Sequence, residues 1–351
     1  MDRELLNSIA DKDVLDFISD HVHLDDHHNT AILSTSTQFN VEILHHDHSA
    51  SNLFKSIINL KRINDIRRIN KFFEAVNCKL EYKGNFVGCV ETLGERERRI
   101  INKFPRIISL PYYFLDFIFK RVFPKWSVTK KLYFFITNGR NRALSKAETL
   151  GRLVSCGFEI IKFTEINNLL YFVVRKIREP HYDNNPSYSV LYKMKRVGKN
   201  GKIIHVYKLR TMHPYSEYLQ KYIYENHGTA DGDKADHDFR LTAWGKLFRK
   251  LWIDELPMII NLMKRDVKIV GVRPLSLHKF SMYPEEAQEK RCLYKPGLIP
   301  PFYADLPHGL DGLIASEMNY LNEHGKHPLR TDIKYFFKAF YNIIFKGARS
   351  R

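Results

Sequence analysis

The sequence predicts an α/β (α+β) protein: a mixed α/β N-terminal domain, then a second α/β domain rich in amphipathic helices. Three observations carry this. Short apolar stretches alternate with stretches of helical period between residues 31 and 176. An Asn-Gly turn with alternating, charged flanks marks a hairpin near residue 200. The 351 residues, 44% of them hydrophobic, suffice for about two domains, each with its own core.

The elements follow in chain order. Ala31-Ile32-Leu33 and residues 39–44 read as strands, and FKSIINLKRINDIRRINKFFEAV, residues 54–76, as one or two basic amphipathic helices. NCKLEYKGNFVGCVET is β-like, punctuated by Gly84 and Gly88. Residues 1–103 thus form the mixed N-terminal domain, with no role apparent from its residues. Residues 104–136 differ: they are aromatic and aliphatic, basic at the flanks and broken by Pro105, Pro111 and Pro124. The apolar stretch 107–123 contains Asp116 and is shorter than the roughly 20 residues that span a bilayer as a helix. It reads as a re-entrant or membrane-associated segment, with a buried hydrophobic hairpin as the alternative.

Residues 137–180 read as an α/β segment and linker. Ser145 caps a helix carrying Ala147, Leu150, Leu153 and Val154; Gly157 ends it; 158–161 and 169–174 follow as strands. The polar stretch EPHYDNNPSY closes this part, and residues 188–351 form the second domain. There a hairpin over 191–212 turns at Lys199-Asn200-Gly201, and residues 215–226 form a helix. A mobile-looking loop, GTADGDKADHD, precedes a helix opened by Thr242, and 267–270 is a strand. Near the C-terminus Ile333, Phe336, Phe337, Phe340, Ile343 and Ile344 recur at a spacing of three or four among Lys and Arg. That is a basic amphipathic helix against a membrane or, alternatively, a packed terminal helix.

The net charge of +17 favours anionic partners: phosphates, nucleic acid or an acidic membrane face. Nucleic acid is not expected, because no binding motif occurs and the aromatics sit in apolar runs. The four cysteines lack CxxC spacing, which excludes a disulfide scaffold and a Cys-based zinc site and fits a reducing compartment. No signal-peptide core opens the chain, and no run of about 18 apolar residues predicts a transmembrane helix. His21, His23, Asp25, Asp26, His27 and His28, and also His45, His46, Asp47 and His48, have metal-like spacing but read first as polar surface loops.

The sharpest chemical feature is Asp254-Glu255-Leu256-Pro257, two acids between apolar runs. Such a pair is costly unless it is paired or bound to a cation. Adjacent helical residues point about 100° apart, so one acid suits attack on an electrophile and the other a metal. The alternative is a pair of acids at a helix start, bridged to Arg249 or Lys250. Pro257 marks a helix start or kink. Arg196, Lys199, Lys208, Arg210, Arg240, Arg249 and Arg273 surround the pair in sequence, and Arg273 sits in a Gly271-Val272-Arg273-Pro274 turn suited to a bidentate phosphate grip. Together they suggest a phosphate-handling site.

Three ordered stretches then carry a resemblance: KMKRVGKNGKIIHVYKLRTM, DFRLTAWGKLFRKLWIDELPMIINLMKRDVKIVGVRP and KPGLIPP. From residue 190 onward the chain resembles the bacterial sugar transferases, the monotopic polyprenyl-phosphate phosphoglycosyl transferases of the undecaprenyl-phosphate hexose-1-phosphate transferase type. The resemblance implies a monotopic, membrane-associated catalytic domain on the inner face of the cytoplasmic membrane, facing the cytoplasm. It implies transfer of a sugar-1-phosphate from a UDP-sugar to polyprenyl phosphate, initiating surface polysaccharide or glycoconjugate synthesis. Asp254 corresponds to the family's nucleophile, which forms an aspartyl intermediate, and Glu255 to the acid associated with Mg²⁺. Arg249 and Arg273 correspond to family arginines, and with Arg196, Lys208 and Arg210 they make up the expected phosphate- or substrate-binding set. Met258, Val272 and Leu209 depart from the family's Gln, Pro and Phe, and the candidate membrane segment is displaced upstream by residues 137–178. A catalytically impaired homologue acting in polysaccharide assembly or regulation is the alternative. A membrane-bound homodimer is one arrangement these features allow.

Overall fold

The computed structural model describes residues 11–22, 29–45, 52–181, 188–227 and 238–348. The loop expected over GTADGDKADHD and most of the two histidine clusters lie outside them. The chain divides into two units, Met1–Tyr188 with His213–Asn226, and Ser189–Met212 with His227–Arg351.

The first unit is built on a five-stranded sheet in the order β1-β2-β3-β5-β4. Its strands are β1 (Thr30–Leu33), β2 (Phe54–Asn59), β3 (Leu80–Val90), β4 (Phe158–Ile166) and β5 (Leu169–Lys176). β1, β2 and β3 run parallel; β5 is antiparallel to β3 and to β4. One face carries the helix Lys12–Ser19, whose Val14, Phe17 and Ile18 pack with Ile58, Val87 and Val173. The neighbouring residues in each strand point the other way, and there Phe86 meets Phe72, Phe73, Phe158 and Phe172 at centroid distances of 5.7–6.3 Å.

Two local expectations are corrected here. Residues 54–59 are strand β2, not the start of a helix. β2 lies between two parallel neighbours and buries Ile57 and Ile58 on opposite faces, so its apolar run shows no alternation. The helix begins only at Ile69 and runs to Lys79. Residues 39–44 hold a short helix, Phe39–Glu42, instead of a strand. A strand would put Phe39, Val41 and Ile43 on one face; here Val41 is buried while Phe39 and Ile43 are exposed.

Other elements follow their local chemistry. Ser145 Oγ accepts from the Glu148 amide at 3.1 Å and opens the helix Lys146–Ser155. Between these parts lie the helix Arg106–Phe117, a π-helical turn Ile118–Val122 and the helix Ser127–Thr137. Ile107, Leu110, Phe114, Leu115, Phe135 and Ile136 are exposed there, so this segment is not a buried hairpin. Asp116, out of place in an apolar stretch, accepts from Arg96, with Nη2 2.8 Å from Oδ1.

The second unit starts with the antiparallel hairpin β6 (Leu191–Val197) and β7 (Ile203–Leu209). Asn200 (φ 58°) and Gly201 (φ 70°) make its turn, as the Asn-Gly pair predicts. A parallel pair, β8 (Lys268–Val270) and β9 (Gly297–Ile299), lies under the helices Gly309–Lys326 and Pro328–Phe345. Val270, Val272, Tyr303, Tyr320, Tyr335 and Ala339 form the core. The last helix buries Tyr335, Ala339 and Asn342 and leaves Ile333, Phe337, Phe340 and Ile344 exposed; Phe336 and Ile343 are partly buried against the core. No described helix is long and apolar enough to cross a membrane.

Candidate active site

The acid pair sits where three pieces of backbone are locked together. Thr242 opens the helix Ala243–Lys250, its Oγ1 accepting from the Gly245 amide at 3.0 Å and donating to the Thr211 carbonyl at 3.0 Å. Gly245 is required: a Cβ there would lie 2.1 Å from that carbonyl oxygen. Arg249 Nε donates to Thr211 Oγ1 at 3.0 Å. After this helix Trp252 takes a left-handed conformation (φ 56°), reversing the chain into the 3-10 turn Ile253–Glu255. Pro257 then starts the helix Met258–Met263, as its position predicts.

The hairpin closes on this turn. Ile204 and Val206 point into a core with Met258 and Val267, and Lys208, two residues further along β7, shares their face. Its Nζ lies 2.5 Å from Glu255 Oε1. The partner of the acid pair is therefore Lys208, across the hairpin; among the described residues neither Arg249 nor Lys250 forms an ion pair with it. Asn261 is fully buried, its Oδ1 accepting from the Tyr207 amide at 2.9 Å and its Nδ2 donating to the His205 carbonyl at 2.7 Å. This tie fixes the helix to β7.

Asp254 is buried. Burial pushes its carboxyl above the ordinary aspartate value, opposed by the Lys208 ammonium and, more weakly, by Arg249. Glu255, the next residue, lines a cavity of about 350 Å³ whose walls also include Arg196, Lys208, Arg273, Lys279 and Phe302. Burial and the neighbouring Arg273 hold Arg196 below its usual value, and burial with Arg273 and Arg196 does the same to Lys279. Three cations thus repel one another at one wall, an arrangement that a bound anion relieves. The Arg273 guanidinium lies 5.7 Å from the Phe302 ring centroid. Its backbone carbonyl accepts from Arg291, which is buried and paired with buried Glu317.

The structure therefore brings Arg196, Lys208, Glu255 and Arg273 to one cavity, with Asp254 next to Glu255. Arg249 stands behind, engaged with Thr211. Arg210 does not line the cavity; it donates to the Ser189 carbonyl at 3.0 Å and lies over the Tyr192 ring at 4.7 Å. Arg240 is engaged with Asp238, with Nη2 2.7 Å from Oδ2. Lys279 and the Arg291–Glu317 pair escape a sequence reading, since none stands in a motif; Asn261 lies within the motif-bearing stretch, but its role is set by β7, distant in sequence. Among the described residues no group of three or more His, Cys, Asp or Glu is placed to hold a metal. Asp254 and Glu255 are the acids at this site.

Comparison with known proteins now places the molecule. The model of the family "Bacterial sugar transferase" matches residues 168–346. The chain belongs to that family, whose match covers the whole acid-pair site. It is 32% identical over 156 residues to the galactosyl transferase CpsE of Streptococcus agalactiae, covering 43% of this chain and 33% of that one. It is 33% identical over 113 residues to the undecaprenyl-phosphate galactose phosphotransferase of Salmonella typhimurium, covering 31% and 24%. It is 28% identical over 111 residues to the UDP-glucose:undecaprenyl-phosphate glucose-1-phosphate transferase of Xanthomonas campestris pv. campestris, covering 31% and 21%. The chain thus spans a third or less of the length of these relatives.

Proposed function

We propose that this protein transfers a sugar-1-phosphate from a UDP-sugar to polyprenyl phosphate, initiating a surface polysaccharide or glycoconjugate. The observation that carries this is a cavity walled by Glu255, Arg196, Lys208, Arg273 and Lys279, with buried Asp254 the residue before Glu255, within the family-matched segment. Relatives named for undecaprenyl-phosphate sugar transfer support it.

A carboxylate oxygen of Asp254 attacks the β-phosphorus of the UDP-sugar, and the bond from that phosphorus to UMP breaks. Lys208, Arg196 and Arg273 offset the phosphate charge that otherwise repels a carboxylate. Polyprenyl phosphate then attacks the same phosphorus through a phosphate oxygen. The bond to Asp254 breaks, the carboxylate is regenerated, and the product is a polyprenyl diphosphate sugar. Mg²⁺ suits this donor set, because it is held by one or two carboxylates together with substrate phosphates and needs no protein cage. Glu255 would hold it, with Asp254 adjacent, and when bound it neutralises phosphate charge.

The membrane reading rests on apolar surface. In the first unit Ile107, Leu110, Phe114 and Leu115 are exposed; in the second, Leu247, Leu251, Ile259 and Phe337 are. Either set, taken by itself, would enter one leaflet without crossing it, on the cytoplasmic face, with the +17 charge favouring anionic headgroups.

The test is UMP release from a panel of UDP-sugars by membrane-purified protein with polyprenyl phosphate and Mg²⁺. UMP that requires the lipid and disappears in Asp254→Asn supports the reading. No UMP from any sugar, with folded protein, overturns it in favour of an impaired homologue.

A further inference from the structure

The first unit contains a buried imbalance of charge that the transfer chemistry does not use. Glu148, fully buried on the helix Lys146–Ser155, accepts from Arg121, from Lys125 Nζ at 2.6 Å and from Arg152 Nη2 at 2.9 Å. Arg121 and Arg152 are themselves buried. Arg142 joins them without a carboxylate of its own: it donates to the backbone carbonyls of Ile66 and Arg67, and its guanidinium lies 5.5 Å from the Phe134 ring centroid. Three guanidinium groups and one amine therefore converge where one carboxylate stands, and burial, with Arg121 repelling, holds the Lys125 amine well below its usual value.

The effect on neighbouring groups is large. Burial, with Arg152 repelling, pulls Arg142 down to about 10. Burial, with Arg121 repelling, pulls His213 down to about 3, so this histidine adds no charge of its own at neutral pH. Uncompensated buried charge is among the most destabilising features a fold can hold. Two donors are also unmet: Nε of Arg142 and Nε of Arg152 are buried and have no hydrogen-bond partner.

The imbalance opens into a cleft of about 1040 Å³ whose lining holds nine Lys and Arg residues against two acids, Glu74 and Glu148. Lys125, Arg142 and Arg152 reach it from the interior, and Lys130 and Lys131 stand at its exposed rim. Phe134 and Tyr188 supply aromatic walls.

We propose that this cleft binds the phosphate group of a phosphorylated ligand, seated against Lys125, Arg142 and Arg152. A phosphate dianion fits better than a carboxylate, because the excess exceeds one charge and planar guanidinium forks match phosphate oxygens. The site is separate from the transferase reading, since all of these residues lie in the first unit. A free phosphate compound and a lipid phosphate headgroup present the same chemistry, and the two arms of the test separate them.

The full chain is examined by equilibrium dialysis with radiolabelled inorganic phosphate, and by flotation with phosphatidylcholine vesicles with or without phosphatidic acid. Wild type is expected to bind phosphate saturably. Arg142→Gln weakens this at least about tenfold, and Lys130→Glu with Lys131→Glu, exposed changes that leave the interior intact, weakens it several-fold. Arg273→Ala, in the second unit, leaves this binding in place. Flotation that needs phosphatidic acid, is displaced by free phosphate and weakens in Arg142→Gln assigns a lipid source. Dialysis binding that weakens in Arg142→Gln while flotation does not change assigns a soluble one. Equal binding by wild type and both first-unit variants, loss only in Arg273→Ala, or no binding in either arm overturns the proposal.

Discussion

Lys208 and Glu255 are 47 positions apart in sequence, yet the lysine Nζ lies 2.5 Å from the glutamate Oε1. The contact joins the hairpin to the acid pair and places a cation next to Asp254, whose carboxyl feels it. Lys208→Met is expected to lower kcat of UMP release about 10²-fold, the cost of losing one preorganised donor. A rate unchanged from wild type would remove Lys208 from the site.

Asp254 yields a prediction with two signs. Its folded pKa is raised, so the folded state holds the proton more tightly than the unfolded chain, and stability falls as pH rises from the ordinary value of 3.8 through the raised one. Above that window the buried carboxylate opposes folding. Asp254→Asn should therefore abolish UMP release and yet raise Tm at neutral pH, by on the order of a degree or two. The gain should vanish below pH 3.8. Melting curves across pH, beside the activity assay, check both; a lower Tm at neutral pH contradicts the electrostatic account.

The Arg291–Glu317 pair holds the carbonyl of Arg273. Removing one partner strands a buried charge. Glu317→Gln should cost about 3–5 kcal/mol, and a joint Arg291→Met, Glu317→Leu change considerably less. If the pair also sets the Arg273 turn, the double variant remains folded but shows a raised KM for the UDP-sugar. Denaturant unfolding and steady-state kinetics separate the two effects.

The exposed apolar residues of 107–136 are tested by membrane attachment. Leu110 and Phe114 are 55% and 62% exposed, so Leu110→Glu and Phe114→Glu should leave Tm within about 1 °C of wild type while releasing protein from membranes. Fractionation and flotation measure this. Undiminished membrane attachment would transfer the role to the second unit, where Phe337→Glu is the matching variant.

What the residues disclose in advance depends on how local the physics is. The Asn200-Gly201 turn, the Ser145 and Thr242 caps and the Pro257 helix start each depend on two or three neighbours, and all are readable from residue type. β2 is not readable, because a central parallel strand is apolar on both faces and lacks the period that marks a strand. The short helix Phe39–Glu42 carries apolar residues at alternate positions and so imitates a strand. At the site, the order of the basic residues around the acid pair and the family resemblance point to the grouping of Arg196, Lys208, Glu255 and Arg273, but neither tells which acid meets which cation. The partner of Glu255 comes from the hairpin rather than from Arg249 or Lys250 beside it in sequence, and Lys279 and Arg291 carry no local signature at all.

Asn261 has a consequence for how copies of this protein behave toward one another. A two-stranded hairpin presents an outward row of backbone donors and acceptors on which a foreign strand can template itself. Here one carboxamide occupies the Tyr207 amide and the His205 carbonyl on β7. A single side chain thus makes two of the bonds a third strand would make and blocks the middle of the β7 edge. Asn261→Leu would reopen it, and the expected symptom is concentration-dependent self-association of otherwise folded protein, visible by light scattering.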